Sequence, residues 1–327
     1  MVEIFKDFNL VKNLWLRLQC KTPFQTFEWN SLFWQYLKGN KKLFILCTDN
    51  TILPLQLRMI SEFKVLELVG TRGTDYLDFI GSSEDLGELI AFLSSNKFWD
   101  IIHFEDIPED SELCKINSRF YTETSINVPC FAVPLPAKQS SRVNKEISYY
   151  NRKLKRKFKN TRFIFKDDIC KIENYFDVHQ QRQISQKNKG TFYLNETRDF
   201  VRQFLQEFFA KDLLYLTGLY IDNKLSSSII SCLWKNKIFA LYVGFLSKYA
   251  KYRIGTILNN YALQQAVKKG VKEYDLSRGK EYYKKRLGGI QKNNLLIEIY
   301  RNKKQIQKYK KLRSELFKNI GYSPVSF

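Results

Sequence analysis

Residues 213–221 (LLYLTGLYI), 225–234 (LSSSIISCLW) and 238–245 (IFALYVGF) decide how this chain folds. They are three apolar, β-branched and aromatic runs. Asp222-Asn223-Lys224 and Lys235-Asn236-Lys237 separate them, and such short polar breaks predict an antiparallel meander of three strands. A short loop, 246–254, leads through Gly255 into a helical pattern with Ile257, Leu258, Tyr261, Leu263 and Ala266 as its apolar residues, closed by Gly270. A fourth strand, 271–276, follows and ends in Asp275-Leu276-Ser277-Arg278-Gly279-Lys280-Glu281-Tyr282-Tyr283-Lys284. A helix entered through a glycine-bearing turn presents free backbone N–H groups and a positive dipole. That is a place to hold a phosphorylated cofactor.

Upstream, the pattern resembles a second unit of the same kind. Residues 26–37 form a short aromatic-rich helix, and 43–48 with 52–60 flank an Asp49-Asn50 turn as a hairpin. Strand 65–69 continues into the glycine-punctuated loop 70–79. A helix at 84–94 and a buried strand at 100–104 follow, with His103 as an ordinary sheet residue. The run 126–133 ends among Pro129, Pro134 and Pro136. The expectation is two similar α/β halves, 1–138 and 139–301, then a helix and tail at 302–327.

Between the halves, Val143, Ile147, Leu154 and Phe158 recur at helical spacing behind Ser140 or Ser141 as N-cap. Arg142, Lys145, Arg152, Lys153, Lys155, Arg156, Lys157 and Lys159 cover the other faces. A solvated basic face and an anion- or nucleic-acid-binding surface are both open readings. The next helix, 169–186, carries Ile172, Tyr175, Phe176 and His179 on one stripe, with Arg182 a turn on. A histidine on such a stripe is commonly a satisfied core residue, and a site role stands beside that reading. The helix at 195–212 is a packing helix.

The chain has 327 residues, 44% of them hydrophobic, enough for a large core. Its 54 Lys+Arg against 33 Asp+Glu give a formal charge of +21, which suits an acidic partner or simply reflects lysine as the solubilising residue. The six cysteines show no C-x-x-C pair, and with two histidines no zinc site assembles by spacing. Buried free thiols in a reducing cytoplasm are expected. Residues 1–20 carry Glu3, Lys6, Asp7, Lys12 and Arg17 and lack a long apolar core, so they do not read as a signal peptide. No window has the roughly 18 apolar residues of a membrane span.

Three strands, a glycine-led helix, a strand, a basic loop and a last strand at 295–300 resemble the GNAT acyltransferase fold. Within it the sequence is similar to the CelD-type acetyltransferases of cellulose biosynthesis, relatives of the FemAB peptidoglycan aminoacyltransferases. The likeness covers roughly residues 24–300. Asp275-Leu276-Ser277-Arg278-Gly279 with Tyr283-Lys284 is similar to that group's D-[FL]-x-R-G-x-x-x-[YF]-K. The helix entry Gly255-Thr256-Ile257-Leu258 behind a tyrosine-rich loop, and the basic helix ahead of His179-x-x-Arg182, add to it. The usual [RQ]-x-x-G-x-[GA] turn is incomplete, with Tyr252 and Ile257 at its outer positions, and Ile254 stands where a proline is usual. The long helical hairpin of FemAB enzymes has no counterpart.

The resemblance implies a tandem GNAT-like α/β (α+β) fold, mixed and mainly antiparallel sheets flanked by helices. It implies an acyl-CoA-dependent N- or O-acyltransferase, with acetyl-CoA or another acyl-CoA as co-substrate, no metal, and a sugar, polysaccharide precursor or amine as acceptor. Lys251, Arg253, Ile254, Gly255, Thr256 and Val243 would bind the donor. Asp275, Arg278 and Lys284 would serve catalysis, and His179, Arg182 and Tyr283 the acceptor. Arg278 could equally pin the loop by pairing with Asp275. A FemAB-like aminoacyl-tRNA-dependent transferase and a non-catalytic nucleic-acid-binding protein are the alternatives.

Overall fold

A computed structural model of the chain describes residues 1–116 and 119–320, with side chains through residue 315. Its elements in chain order are β1 (Glu3–Phe5), α1 (Phe8–Arg17), α2 (Phe27–Leu37), β2 (Lys42–Cys47), β3 (Thr51–Ile60), β4 (Phe63–Leu68), β5 (Ile80–Gly81), α3 (Leu86–Ser95), β6 (Ile101–Pro108) and β7 (Tyr121–Pro134). The chain continues through α4 (Ser141–Lys157), β8 (Thr161–Ile164), α5 (Ile172–Ser185), α6 (Asn195–Ala210), β9 (Leu214–Ile221), β10 (Lys224–Trp234) and β11 (Lys237–Phe245). It ends with α7 (Ile254–Lys268), β12 (Glu273–Arg278), α8 (Tyr282–Arg286), β13 (Ile290–Tyr300) and α9 (Ile306–Ile320). Residues 321–327 of the expected tail lie outside the described residues.

These elements form two compact units, Met1–Pro129 with Asn293–Phe327, and Cys130–Lys292. In the first, strands run in the order β1-β2-β3-β4-β6-β13, with β5 beside β3. In the second, the order is β8-β9-β10-β11-β12-β7. Each sheet is antiparallel except at one pair, β4 with β6 and β11 with β12. The result is a mixed α/β fold flanked by helices. The strand at 295–300, read as the last of the second half, instead pairs with β6, from Asn294↔Pro108 to Tyr300↔Ile101. Conversely, the end of β7 pairs with β12, from Glu273↔Pro134 to Arg278↔Cys130.

Local chemistry explains the elements. Asp222 and Asn223 both take positive φ, the two-residue turn whose twist matches a hairpin, and join β9 to β10. The Ser140 hydroxyl accepts the Val143 N–H and starts α4, whose Val143, Ile147 and Leu154 alone are buried. Those three join Ile229, Ile238 and Ala240 of the sheet and Ile254, Leu258 and Ala262 of α7 in one core. Each fully buried aliphatic chain there contributes about 1.5–3 kcal/mol. The opposite face takes α5, α6 and the turn between them, with Phe192 of that turn 4.8 Å from Tyr242 in a tilted contact and Phe208 6.0 Å from Trp234. In the first unit, Leu55, Leu66 and Leu68 pack on Leu89 and Leu93 of α3, while Val65, Ile101 and Tyr300 pack on Tyr309 of α9.

Several features depart from the sequence reading. Residues 1–20 build β1 and α1, and β5, β8 and α8 are further short elements. His103 is more than a sheet residue, because it lies fully buried between Glu105 and Glu298. None of the six cysteines is in a disulfide; Cys20, Cys47, Cys130 and Cys232 are buried as expected, whereas Cys170 is exposed. No helix among the described residues is long and apolar enough to cross a membrane.

Candidate active site

The second unit's parallel pair comes apart. β11 and β12 are in register for only three residues, Lys237↔Glu273 to Phe239↔Asp275. Beyond that point β11 stays on β10 as far as Ser227↔Phe245, with a register shift that leaves Leu241 as an extra residue. β12 follows β7 instead. Side chains fix the strand ends at the parting. Ser277, at φ 59°, donates its hydroxyl to the Ala240 carbonyl at 2.8 Å. The Asp275 carboxylate accepts the Ser277 N–H at 2.6 Å and so fixes that strained turn. Buried Lys284 donates to the carbonyls of Ser277 (3.1 Å) and Arg278 (2.6 Å) and pairs with Glu281 at 3.2 Å. Asp275, Arg278 and Lys284 therefore meet at one strand end, with Lys284 committed to the backbone.

On the other side of the gap, the Leu246 N–H donates to Ser226 O. Backbone groups alternate in the plane of an antiparallel pair, so Val243 turns its N–H and C=O toward the edge that β12 has left. His179 reaches that edge from α5, its Nδ1 3.0 Å from the Val243 carbonyl. A carbonyl only accepts, so Nδ1 carries the hydrogen and Nε2 keeps a lone pair. Nε2 is buried with no hydrogen-bond partner among the described residues. Burial pulls the imidazole down to about 4 against the weaker lift from Val243, so it is neutral at pH 7. Phe192 and Tyr242 wall it at 5.3 and 5.6 Å between ring centroids. A Cβ on Gly244 would lie 2.6 Å from His179 Cα, so only glycine lets α5 lie this close to β11.

The third component is the entry to α7. Arg253 takes the left-handed conformation (φ 54°, ψ 34°) and turns the chain into the helix. Ile257 N–H is the first to bond back, to Arg253 O at 3.1 Å. The N–H groups of Ile254, Gly255 and Thr256 thus precede the helical ladder. Gly255 lies against Phe245, where an added Cβ would stand 3.0 Å from the ring. The Arg182 guanidinium covers the same ring at 4.2 Å, and burial lowers its pKa. The ends of α5 and β11 and the start of α7 thereby meet around Phe245. Arg253 lies 5.8 Å from the Tyr150 ring of α4, Lys251 lies 5.4 Å from Tyr252, and both cations are exposed.

The structure gathers Val243, His179, Arg182, Arg253, Ile254, Gly255 and Thr256 on one side of the gap and Asp275, Arg278 and Lys284 on the other. Tyr283 packs against the core, and burial raises its phenol. The sequence reading missed Ser277, Gly244 and Phe245. A glycine as the penultimate residue of an apolar strand was the visible signal for close helix approach at Gly244. Among the described residues no group of three or more His, Cys, Asp or Glu could hold a metal ion.

Residues 141–285 match the family model described as an acetyltransferase (GNAT) domain. No curated protein matches the chain. L-PGS from Bacillus licheniformis superposes with a TM-score of 0.63 at 10% identity, covering 94% of this chain and 96% of that one. The C-terminal domain (DUF2156) of a candidate lysylphosphatidylglycerol synthetase from Agrobacterium fabrum gives 0.61 at 9%, covering 94% and 95%. FemX gives 0.59 at 8%, covering 91% and 96%. At such identities the likeness is one of fold.

Proposed function

We propose that the second unit transfers an acyl group, acetyl in the first instance, from acyl-CoA to an amine or hydroxyl of a sugar, polysaccharide precursor or amine. The observation that carries this reading is the parted β11–β12 pair beside a helix entry with free N–H groups and two exposed cations. The residues fit the donor's pyrophosphate: the first-turn N–H groups around Gly255, with Lys251 and Arg253, supply donors and charge for an anion. The bound donor supplies a thioester carbonyl. Val243 presents its backbone N–H at the open edge, placed to polarise that oxygen. His179 holds Val243 in position through Nδ1, and its Nε2 lone pair accepts a hydrogen from the attacking amine or hydroxyl. Asp275 is the proton acceptor on the far side of the gap. Arg182 and Arg278 face an anionic acceptor, while Lys284 positions the strand end. The motif at 275–284 supports a CelD-type relative and hence a glycan-precursor acceptor. Six cysteines without a disulfide suit a reducing cytoplasm.

One observation favours a second reading. The exposed basic face of α4 lies beside Arg253, which suits an aminoacyl-tRNA donor. Calorimetric titration with acetyl-CoA and, separately, with aminoacyl-tRNA decides between the two. Saturable heat with acetyl-CoA alone supports the first reading. Heat only with the tRNA would replace it.

A further inference from the structure

One end of the second unit's sheet carries more exposed cations than a donor pyrophosphate uses. Strand register defines that end. Phe245 of β11 pairs with Ser227 of β10, Ser227 with Leu219 of β9, and Leu219 with Phe163 of β8. The last turn of α4 arrives there, because Phe158 packs on the Tyr249 and Tyr252 rings, both at 5.5 Å. It brings exposed Lys155, Arg156 and Lys157, with Lys159 just beyond. Exposed Lys248 stands with Lys251 and Arg253 ahead of α7, and Lys224 in the β9–β10 turn. Arg182 over Phe245 brings the end of α5 to the same place. The α5–α6 turn that follows, residues 186–194, adds exposed Lys187 and Lys189. This turn is built into the fold, since Gln180 donates to the Lys189 carbonyl at 2.5 Å.

Among the described residues, Lys155, Lys157, Lys187 and Lys189 form no ion pair. The dipole of α4 accounts for cations in its own last turn. It does not account for Lys248, Lys251 and Arg253, which precede the positive pole of α7. Two exposed acids belong to these segments. Asp222 shares its turn with Lys224, and Glu196 lies in the first turn of α6. Three large apolar side chains stand among the cations of the α5–α6 turn: Ile184 is 61%, Tyr193 64% and Leu194 48% exposed. Whatever covers this surface also covers the entry to α7. A bilayer there would close that entry to a water-borne donor. An RNA would use the lysines and could stack on Tyr193, but Ile184 and Leu194 offer its phosphates nothing. An acidic protein surface with an apolar patch takes up both.

We infer that the basic and apolar surface around the α7 entry docks an acidic carrier protein that delivers the acyl group on a phosphopantetheine arm. The inference rests on the acyl-transfer reading and names the donor's carrier. Such an arm has the thioester of acyl-CoA and a phosphate for the N–H groups around Gly255. In the transfer, the acceptor nitrogen or oxygen bonds to the thioester carbon and the C–S bond breaks. The carrier leaves as its thiol, with the proton the acceptor gives up. Calorimetry on the full chain tests this with acetyl-CoA, aminoacyl-tRNA and the acidic acyl carrier protein of bacterial fatty-acid synthesis, acetyl-loaded on its arm. The wild-type chain should bind the loaded carrier, more weakly as salt rises. Lys155→Gln with Lys157→Gln, and separately Lys187→Gln with Lys189→Gln, should each weaken carrier binding about tenfold to a hundredfold. Acetyl-CoA affinity should stay unchanged in both, which also shows that each variant is folded; if one is not, the other decides. Acetyl-CoA binding without carrier binding, or unchanged carrier affinity in a folded variant, would overturn the carrier alone. Binding of aminoacyl-tRNA in the carrier's place would assign the surface to RNA and overturn it too. Absence of acetyl-CoA binding to the wild-type chain would remove the acyl-transfer reading and the carrier with it.

Discussion

The two units are built from the same parts in the same order. β1, α1, α2, β2, β3, β4, α3 and β6 of the first correspond to β8, α5, α6, β9, β10, β11, α7 and β12 of the second. In both, the fourth and fifth strands of this series run parallel for three pairs, Val65↔Ile101 to Glu67↔His103 and Lys237↔Glu273 to Phe239↔Asp275. The helix entries differ sharply. Ile254-Gly255 of α7 follows Lys251 and Arg253, whereas Leu86-Gly87 of α3 follows Glu84 and Asp85, with Glu88 in its first turn. Carboxylates at a helix N-terminus satisfy the dipole that a phosphate would otherwise use. On the proposed reading, one copy of the fold carries the donor site, and the carboxylates neutralise the equivalent helix entry in the other.

The two histidines show the same divergence. His103, at the register position that Asp275 occupies in the second unit, has both ring nitrogens on carboxylates. Burial works to lower its pKa, and the hydrogen bonds to Glu105 and Glu298 outweigh that and raise it. His179 is neutral with one nitrogen unspent. The first spends both nitrogens on ion pairs, whereas the second keeps Nε2 without a hydrogen-bond partner among the described residues.

Exchange at the matched positions gives the largest expected effect. Asp275→Asn keeps an oxygen for the Ser277 N–H and should lower kcat by about 10²–10⁴-fold with little change in melting temperature. His103→Gln should do the reverse, lowering stability and sparing kcat. A fully active, stable Asp275→Asn protein would remove Asp275 from the mechanism and blur the contrast between the units.

Next in size is the pH dependence of stability. His179 falls from an ordinary value near 6.5 to about 4 on folding. The unfolded chain therefore binds more protons between those values. Its contribution, about 3 kcal/mol, is fully present above pH 6.5 and lost as pH falls toward 4. His103 is shifted upward, so its contribution is present below pH 6.5 and lost as pH rises through its folded value. Two imidazole resonances titrating on opposite sides of 6.5 by NMR are expected, and His179→Asn should flatten the acid limb. Coincident titrations would contradict the assignment.

Packing gives the smallest effect. Gly244→Ala forces a Cβ into the backbone of α5 and should cost about 1–3 kcal/mol. Gly87→Ala meets nothing within 4 Å and should be neutral or stabilising by about 0.5–1 kcal/mol. Equal denaturation midpoints for the two variants would show that α5 does not rest on β11 as described.

Much of this was legible in sequence because it is local. The meander 213–245, the glycine-led helix and the motif from Asp275 to Lys284 depend on turn residues and short-range periodicity. The exchange of β7 and β13 was not legible, because strand partners more than a hundred residues apart leave no mark in either strand's own pattern. Lys284 looks like a free cation in sequence, and only the turn at Ser277 shows that its ammonium is used by two carbonyls. His179 could be placed on an apolar stripe. That its Nδ1 meets Val243 on the open edge depends on which way an alternating backbone faces.

The central claim is that donor binding belongs to the second unit alone. It is tested most directly by calorimetric titration of acetyl-CoA into the wild-type chain, Gly255→Asp and Gly87→Asp, which place the same carboxylate at the same position of α7 and α3. The account predicts one acetyl-CoA per wild-type chain, no binding to Gly255→Asp, and unchanged affinity in Gly87→Asp. Wild-type affinity in a folded Gly255→Asp chain, or loss of binding in Gly87→Asp, would contradict it.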